Sequence, residues 1–433
     1  VTARSLFSLT AVALSVTVSA SVAITVRAAA PGGNWPQWRG PLRDGVSTET
    51  GLLASWPQGG PPKLWTASGL GRGFSSIAVA NGRVFTMGDR RDGQYVIALD
   101  EESGKQVWAT RVGAIYTDDY AGPRGTPTVD GDLVYAIDTD SDIVCLDSAT
   151  GKERWHKNMA RDFGGRMMSG WNWSESPLVD GERVVITPGS PRAGLVALDK
   201  HTGIEIWRSS IPQIGRNGSD GAGYSSIVVS NGGGVKQYVQ MMGRGLVGVR
   251  ASDGVYLWGN NSIANPTANI STPVVKDNYV FASTSYGAGS VLVELSPAAS
   301  GRVSAAEKYM LDGNVFQNHH GGFVLIGDYI YGGHGLRRGT PVCLELATGK
   351  MMWPPTRNAG EGSAAVMGAD GHLYFRYENG VMMLIEASPS GYKEAGSFQI
   401  PNVSQPSWSH PVIAARRLYL REQDALHVYD IKR

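Results

Sequence analysis

One block of sequence constrains this chain more than any other feature. Ala98-Leu-Asp-Glu-Glu-Ser-Gly-Lys-Gln-Val-Trp108 recurs as Cys145-Leu-Asp-Ser-Ala-Thr-Gly-Lys-Glu-Arg-Trp155, as Ala197-Leu-Asp-Lys-His-Thr-Gly-Ile-Glu-Ile-Trp207 and as Cys343-Leu-Glu-Leu-Ala-Thr-Gly-Lys-Met-Met-Trp353. A period of this length marks supersecondary units that cannot bury their apolar faces alone and must stack. Within each block a short apolar run reads as a strand. The Ser/Thr-Gly step reads as a turn with the glycine at positive φ. The acidic residue at the strand end is placed to accept from turn N–H groups. The second strand ends in an aromatic ring, a wedge that can pack between neighbouring sheets, and burial of one such side chain is worth about 1.5–3 kcal/mol.

A hairpin precedes each block. Its turns include Asn81-Gly82, Asp130-Gly131, Asp180-Gly181, Asn231-Gly232 and Asp370-Gly371, and Asn-Gly or Asp-Gly between apolar runs is the strongest short-range hairpin signal. Each unit therefore has four strands. The wedge positions are Trp65, Trp108, Trp155, Trp207, Trp258, Tyr309, Trp353 and Phe398. The fifth and seventh units are degenerate, with Gly301 and Gly391 set further back from Tyr309 and Phe398. Three strands follow Phe398, at His410–Ala414, Arg417–Arg421 and Ala425–Tyr429, and a fourth is missing. Pro62-Lys-Leu-Trp-Thr66 is a lone wedge strand with no hairpin before it. The expected fold is all-β: an eight-bladed β-propeller of four-stranded antiparallel blades, closed by this N-terminal strand joining the C-terminal blade. Such closure removes sheet edges that invite aggregation.

Three segments follow from this reading: a leader at 1–30, a Trp/Pro/Gly-rich lead at 31–61 and the propeller at 62–433. Arg4, an apolar stretch from Leu6 to Val26 and Ala28-Ala29-Ala30 make the pattern of a secretory signal peptide. The stretch is also long enough for an uncleaved anchor. A periplasmic or secreted location is expected, with no membrane span after cleavage. The net charge of +1, without basic runs, gives no reason to propose nucleic acid. Cys145 and Cys343 fall in units 2 and 6, on opposite sides of an eight-fold ring. Disulfide geometry needs Cα atoms within about 7 Å, so two free, buried thiols are expected. Trp35, Trp38 and Trp56 are expected to pin the lead to the propeller, with ligand stacking by one of them as the alternative.

A propeller's ligand site lies over its axis, lined by the loops that lead into each blade and by the turns between second and third strands. The longest inbound loop, 157–174, is the candidate on length grounds. It offers Arg161, Arg166, Trp171 and Trp173, with Glu175 beside it: cations for carboxylates, rings for stacking and a carboxylate for a divalent ion. The plainer reading is a packed surface loop with solvated charges. His319 and His320 lead into blade 6, with His334 and Arg337 on the next turn of the same blade. These histidines suit hydrogen bonding at the channel mouth, ligand contact or general base work, and their spacing matches no metal signature. Asp118 and Asp119 are candidates for a base or a cation ligand, the plainer reading being a solvated pair.

The Ala-x-Asp-x-x-Thr-Gly-x-x-x-Trp blocks resemble the quinoprotein, or PQQ-like, β-propeller family over about residues 62–433. Trp35-Pro-Gln-Trp-Arg-Gly-Pro41 is similar to the lead of bacterial PQQ-binding-like repeat proteins. WD40 and kelch patterns fit less well. The resemblance implies two functions. Quinoprotein alcohol dehydrogenases use PQQ and calcium with an Asp base, and many carry a disulfide between adjacent cysteines. This chain has no Cys-Cys pair, and the calcium Glu, its Asn and the Asp base that the resemblance would imply are not carried over to positions in it. BamB-type propellers are protein-interaction scaffolds. The reading put first is an exported scaffold that binds a small-molecule ligand or a protein partner over its channel. The alternative is a PQQ- and calcium-dependent alcohol dehydrogenase. A hydrolase or lyase using His319, His320 or His334 is a third.

Overall fold

The computed structural model describes residues 1–2 and 33–433; the expected leader lies outside the described residues. Eight sheets follow one another around a ring. In five of them four antiparallel strands run in sequence order from an inner strand to an outer one. Blade 1 is typical, with Ala78–Ala80, Arg83–Arg90, Gly93–Asp100 and Gln106–Gly113. Blade 8 is assembled from both chain ends. Val412–Ala414, Arg417–Glu422 and Ala425–Asp430 are completed by Lys63–Ala67, in a register that sets Trp65 opposite Val428 and Lys63 opposite Tyr429.

Two blades depart from the four-strand expectation. Blade 6 has three ladder strands, Phe323–Ile326, Tyr329–His334 and Thr340–Glu345, and its outer strand is reduced to one bridge between Leu344 and Met351. Trp353 is followed by Pro354 and Pro355, which have no N–H for a ladder. Blade 7 has a fifth strand. Val46–Ser47 of the lead pairs in parallel with the inner strand Ala364–Ala369. The loop after residue 157 contains a one-turn helix, Met159–Phe163, capped by the Asn158 side chain, which accepts from Arg161 N at 2.8 Å.

The core is a ring of layers between blades. One layer sets Phe85 and Ala98 of blade 1 against Val134 and Leu146 of blade 2. Another joins Leu384 of blade 7, Leu418 of blade 8 and Ile97 of blade 1. Apart from Trp65, whose buried Nε1 has no partner, the tryptophan and tyrosine wedges cross these layers with their polar atoms satisfied. Trp108 Nε1 donates to Ser148 O at 3.1 Å, Trp155 Nε1 to Lys200 O at 2.9 Å, Trp207 Nε1 to Ala251 O at 3.3 Å, and the Tyr309 hydroxyl to Leu346 O at 2.7 Å. Each acceptor belongs to the following blade. Trp258 instead donates to Gln237 Oε1 of its own blade at 2.5 Å. Cys145 and Cys343 are free and buried.

Candidate functional site: the axial cavity

The inner strands are short, so the residues before them reach the axis. The lead reaches it as well. Trp35 exchanges backbone hydrogen bonds of 2.8 Å with Val79 of blade 1, and Val129 N of blade 2 donates to Pro36 O at 2.7 Å. Arg43 donates to Ser176 O at 2.7 Å and Pro177 O at 3.1 Å in blade 3. Trp38 Nε1 donates to Thr272 Oγ1 of blade 5 at 3.1 Å, and Arg39 Nη2 to Phe323 O of blade 6 at 2.5 Å. Gly368 N of blade 7 donates to Gly45 O at 2.9 Å. Residues 35–45 thus tie six blades together and floor the channel.

Above this floor is a cavity of about 300 Å³. Trp408, leading into blade 8, is the centre of its aromatic wall. The His320 ring stacks on it at 4.3 Å and 11°, and Tyr120 and Phe74 lie 4.6 and 4.8 Å from it. Trp408 Nε1 donates to Glu378 Oε1 at 2.9 Å. Trp171 packs edge-on to Tyr224 on another side, with ring centres 6.0 Å apart. Arg124 donates to the carbonyls of Trp171 and Tyr120, both at 2.9 Å. Arg337 and Arg39 also line the cavity, as do Ser174 and Ser226.

His319 sits between two hydroxyl groups. Nδ1 lies 2.9 Å from Ser363 Oγ and Nε2 lies 3.1 Å from Tyr286 Oη. Burial, aided by Arg337, lowers its pKa to about 4. Burial also holds His320 and His410 well below the usual imidazole range, helped by neighbouring cations. All three rings are therefore neutral at pH 7. Burial lowers Arg39 to about 10, which still leaves it charged.

Of the residues expected from sequence, His319, His320, Trp171 and Arg337 line this cavity. The others lie elsewhere. Arg161 is exposed and pairs with Asp162 at 2.9 Å. Arg166 pairs with Asp220 at 3.1 Å beside a smaller cleft near Ile211 and Arg244. Trp173 is buried with Trp155 and Phe163 between blades 2 and 3. Glu175 is buried behind the wall, accepting from Thr187 N at 2.8 Å, Thr187 Oγ1 at 2.7 Å and Gln240 Nε2 at 3.2 Å; burial raises its pKa to about 7. His334 turns away and accepts from Gln317 N at 3.3 Å. Asp118 and Asp119 are exposed. Arg39, Trp408, Tyr224 and Tyr286 were not anticipated as site residues. Their common signal is position: three stand on the loops and turns that crown the channel, and Arg39 stands in the lead.

Residues 54–158 and 92–354 match the family described as outer membrane protein assembly factor BamB. A curated protein of that name from Burkholderia pseudomallei is 27% identical over 151 residues, 34% of this chain and 35% of that protein. The chain thus spans about a third of the length of this curated relative. Among solved structures, BamB from Moraxella catarrhalis superposes with a TM-score of 0.58 at 14% identity, covering 86% of this chain and 97% of that one. The quinohemoprotein alcohol dehydrogenase ADHIIG from Pseudomonas putida HK5 gives 0.62 at 13% identity, covering 92% and 80%. At such identities the structures share the fold.

Proposed function

The chain belongs to the family of the outer membrane protein assembly factor BamB, and from that premise we propose that it is a binding scaffold, without redox chemistry, whose ligand or protein partner engages the axial cavity and its rim. The observation that carries this is the cavity's donor set. Guanidinium groups, flat rings and hydroxyls face one carboxylate, Glu378, which Trp408 already holds. Such a set binds; it lacks the oxygen ligands a calcium ion takes, six to eight in number.

The second reading is the PQQ- and calcium-dependent alcohol dehydrogenase, favoured by the dehydrogenase fold likeness and by the stacking faces and cations of the cavity. A quinone carboxylate would find Arg124 and Arg337. Calcium would meet one lining carboxylate, Glu378, and among the described residues no group of three or more His, Cys, Asp or Glu is placed to hold a metal. These residues do not fit the calcium half of that cofactor pair. Among the described residues no helix is long and apolar enough to cross a membrane, and export rests on the leader pattern of the sequence.

The test is a titration of purified protein with PQQ and calcium, followed by desalting and a dye-reduction assay over an alcohol panel. The scaffold reading expects no retained quinone absorbance and no turnover. Retained quinone together with dye reduction would overturn it.

A further inference from the structure

The axial cavity holds more positive charge than its own walls neutralise. Arg39, Arg124 and Arg337 face it, against the single carboxylate of Glu378. None of these three cations takes part in an ion pair among the described residues. Arg39 is 3% exposed. Its Nη2 serves the carbonyls of Asp44 and Phe323, while its Nε and Nη1 are sealed away without a partner. Arg39 therefore acts on a ligand through its charge, and the donors open to the cavity are those of the exposed Arg337. The neutral histidines add no countercharge. A carboxylate suits guanidinium geometry best.

The remaining surface says what carries that carboxylate. Trp171, half-buried and edge-on to Tyr224, offers the cavity a flat apolar face, whereas His320 already stacks on Trp408. The hydroxyls of Ser174 and Ser226 and the acceptor Glu378 also line the cavity. A flat aromatic polyacid would leave these hydroxyls idle and oppose its own charge to Glu378. A ring with hydroxyl donors would satisfy them. The cavity is floored by the lead, and a pocket of about 300 Å³ is at the small end of ligand sites. It has room for the end of a chain and no exit for its continuation.

We propose that the axial cavity binds the terminal uronic acid residue of an acidic oligosaccharide, with the carboxylate on the arginine cluster and a sugar face on Trp171. This deepens the scaffold reading and rests on it. The chain end enters through the crown of loops, and the next sugars lie along the rim near Arg337.

The experiment is a fluorescence and calorimetric titration with four probes: trigalacturonate, its carboxyl-reduced neutral trisaccharide, a short peptide with a free C-terminal carboxylate, and PQQ with calcium. Saturable binding of trigalacturonate, at least tenfold tighter than the neutral sugar, is expected. Arg337→Gln should weaken it at least tenfold, and Arg161→Gln should leave it unchanged. Arg337 makes no hydrogen bond within the described residues, so its loss should not disturb folding, whereas Arg39→Met risks the floor. Equal affinity for the neutral sugar, or an unaffected Arg337→Gln variant, overturns the proposal. Binding of the peptide alone overturns the uronate and leaves the scaffold standing. Retained PQQ with turnover overturns the scaffold itself. No binding by any probe overturns the uronate proposal.

Discussion

The indole of Trp65 lies so close over Gly104 that a Cβ at that glycine would stand 2.6 Å from the indole Cε3. Trp65 belongs to the strand that completes blade 8, and Gly104 to the turn before the outer strand of blade 1. The same contact recurs where Trp108 meets Gly151, Trp155 meets Gly203 and Trp207 meets Gly254. In the closing blade, Gly60 of the lead takes the ring of Phe398. The glycine of the repeat therefore does two things. It adopts positive φ, +68° at Gly104, and it leaves room for the wedge of the preceding blade.

These two roles separate by mutation. Gly131 has φ +59°, and nothing lies within 4 Å of the point where a Cβ would stand. Gly131→Ala should cost about 1 kcal/mol, the backbone penalty alone. Gly104→Ala should cost about 1–3 kcal/mol more, since the ring must move in a packed layer. Urea unfolding of the two variants checks this. Equal losses would mean that the wedge contact contributes nothing to ring closure.

Arg376 and Glu422 form a buried ion pair between blades 7 and 8, at 2.7 Å. Arg376 also donates to Ser409 O at 2.8 Å, and Ser407 Oγ donates to Glu422. Removal of one partner leaves the other charge buried without compensation. Arg376→Met should therefore cost about 3–5 kcal/mol. Glu422→Leu added to it should recover most of that loss, because an apolar pair of similar volume can replace a buried ion pair. A double variant less stable than Arg376→Met would show that Glu422 serves the hydroxyl of Ser407 more than the arginine.

The blades were legible because their signal is local. The Thr-Gly turn and the Trp four residues later sit on one hairpin, so spacing alone reports them. One degenerate unit kept register: Tyr309 pairs with Leu292 as Trp258 pairs with Gly248. In the other, Gly396 takes the wedge position opposite Leu384, and Phe398 pairs with Met382 two residues further on. The cavity was legible only in part, because each blade contributes one or two residues and no spacing links them. Loop length pointed to 157–174, and that loop delivers Trp171 alone of the four candidates named in it. In an extended segment Trp171 and Trp173 would share a face. Asn172, at φ +58°, breaks the alternation and sends Trp173 into the core. The lead's role as floor had no signal beyond its tryptophans, since its arginines act through backbone carbonyls.

The two thiols should be silent in the folded protein. Burial raises Cys145 to about 12 and Cys343 to about 11, and the thiolate is the reactive form. A thiol reagent at pH 8 should titrate no cysteine in the native protein and both in guanidinium chloride, with identical mobility on reducing and non-reducing gels. One reactive native thiol would place a cysteine at the surface and contradict the blade packing.

Stability should depend on pH through two opposed groups on different blades. Glu175 holds its proton more tightly when folded, up to about 7 from 4.5, because of burial. Its contribution is complete below about 4.5 and is lost as pH rises to about 7. His319 is depressed to about 4 from 6.5, also by burial. Its contribution is complete above about 6.5 and is lost as pH falls to about 4. Each shift corresponds to about 3 kcal/mol. Glu175→Gln should therefore flatten the loss of stability between pH 5 and 7 and leave the acid side steeper. His319→Gln should do the reverse. Because the two sites share no partner, the double variant should show the sum of the two changes. Melting temperatures of the four proteins across pH 4–8 decide the matter: parallel curves for wild type and Glu175→Gln would mean that the buried carboxyl keeps its ordinary pKa.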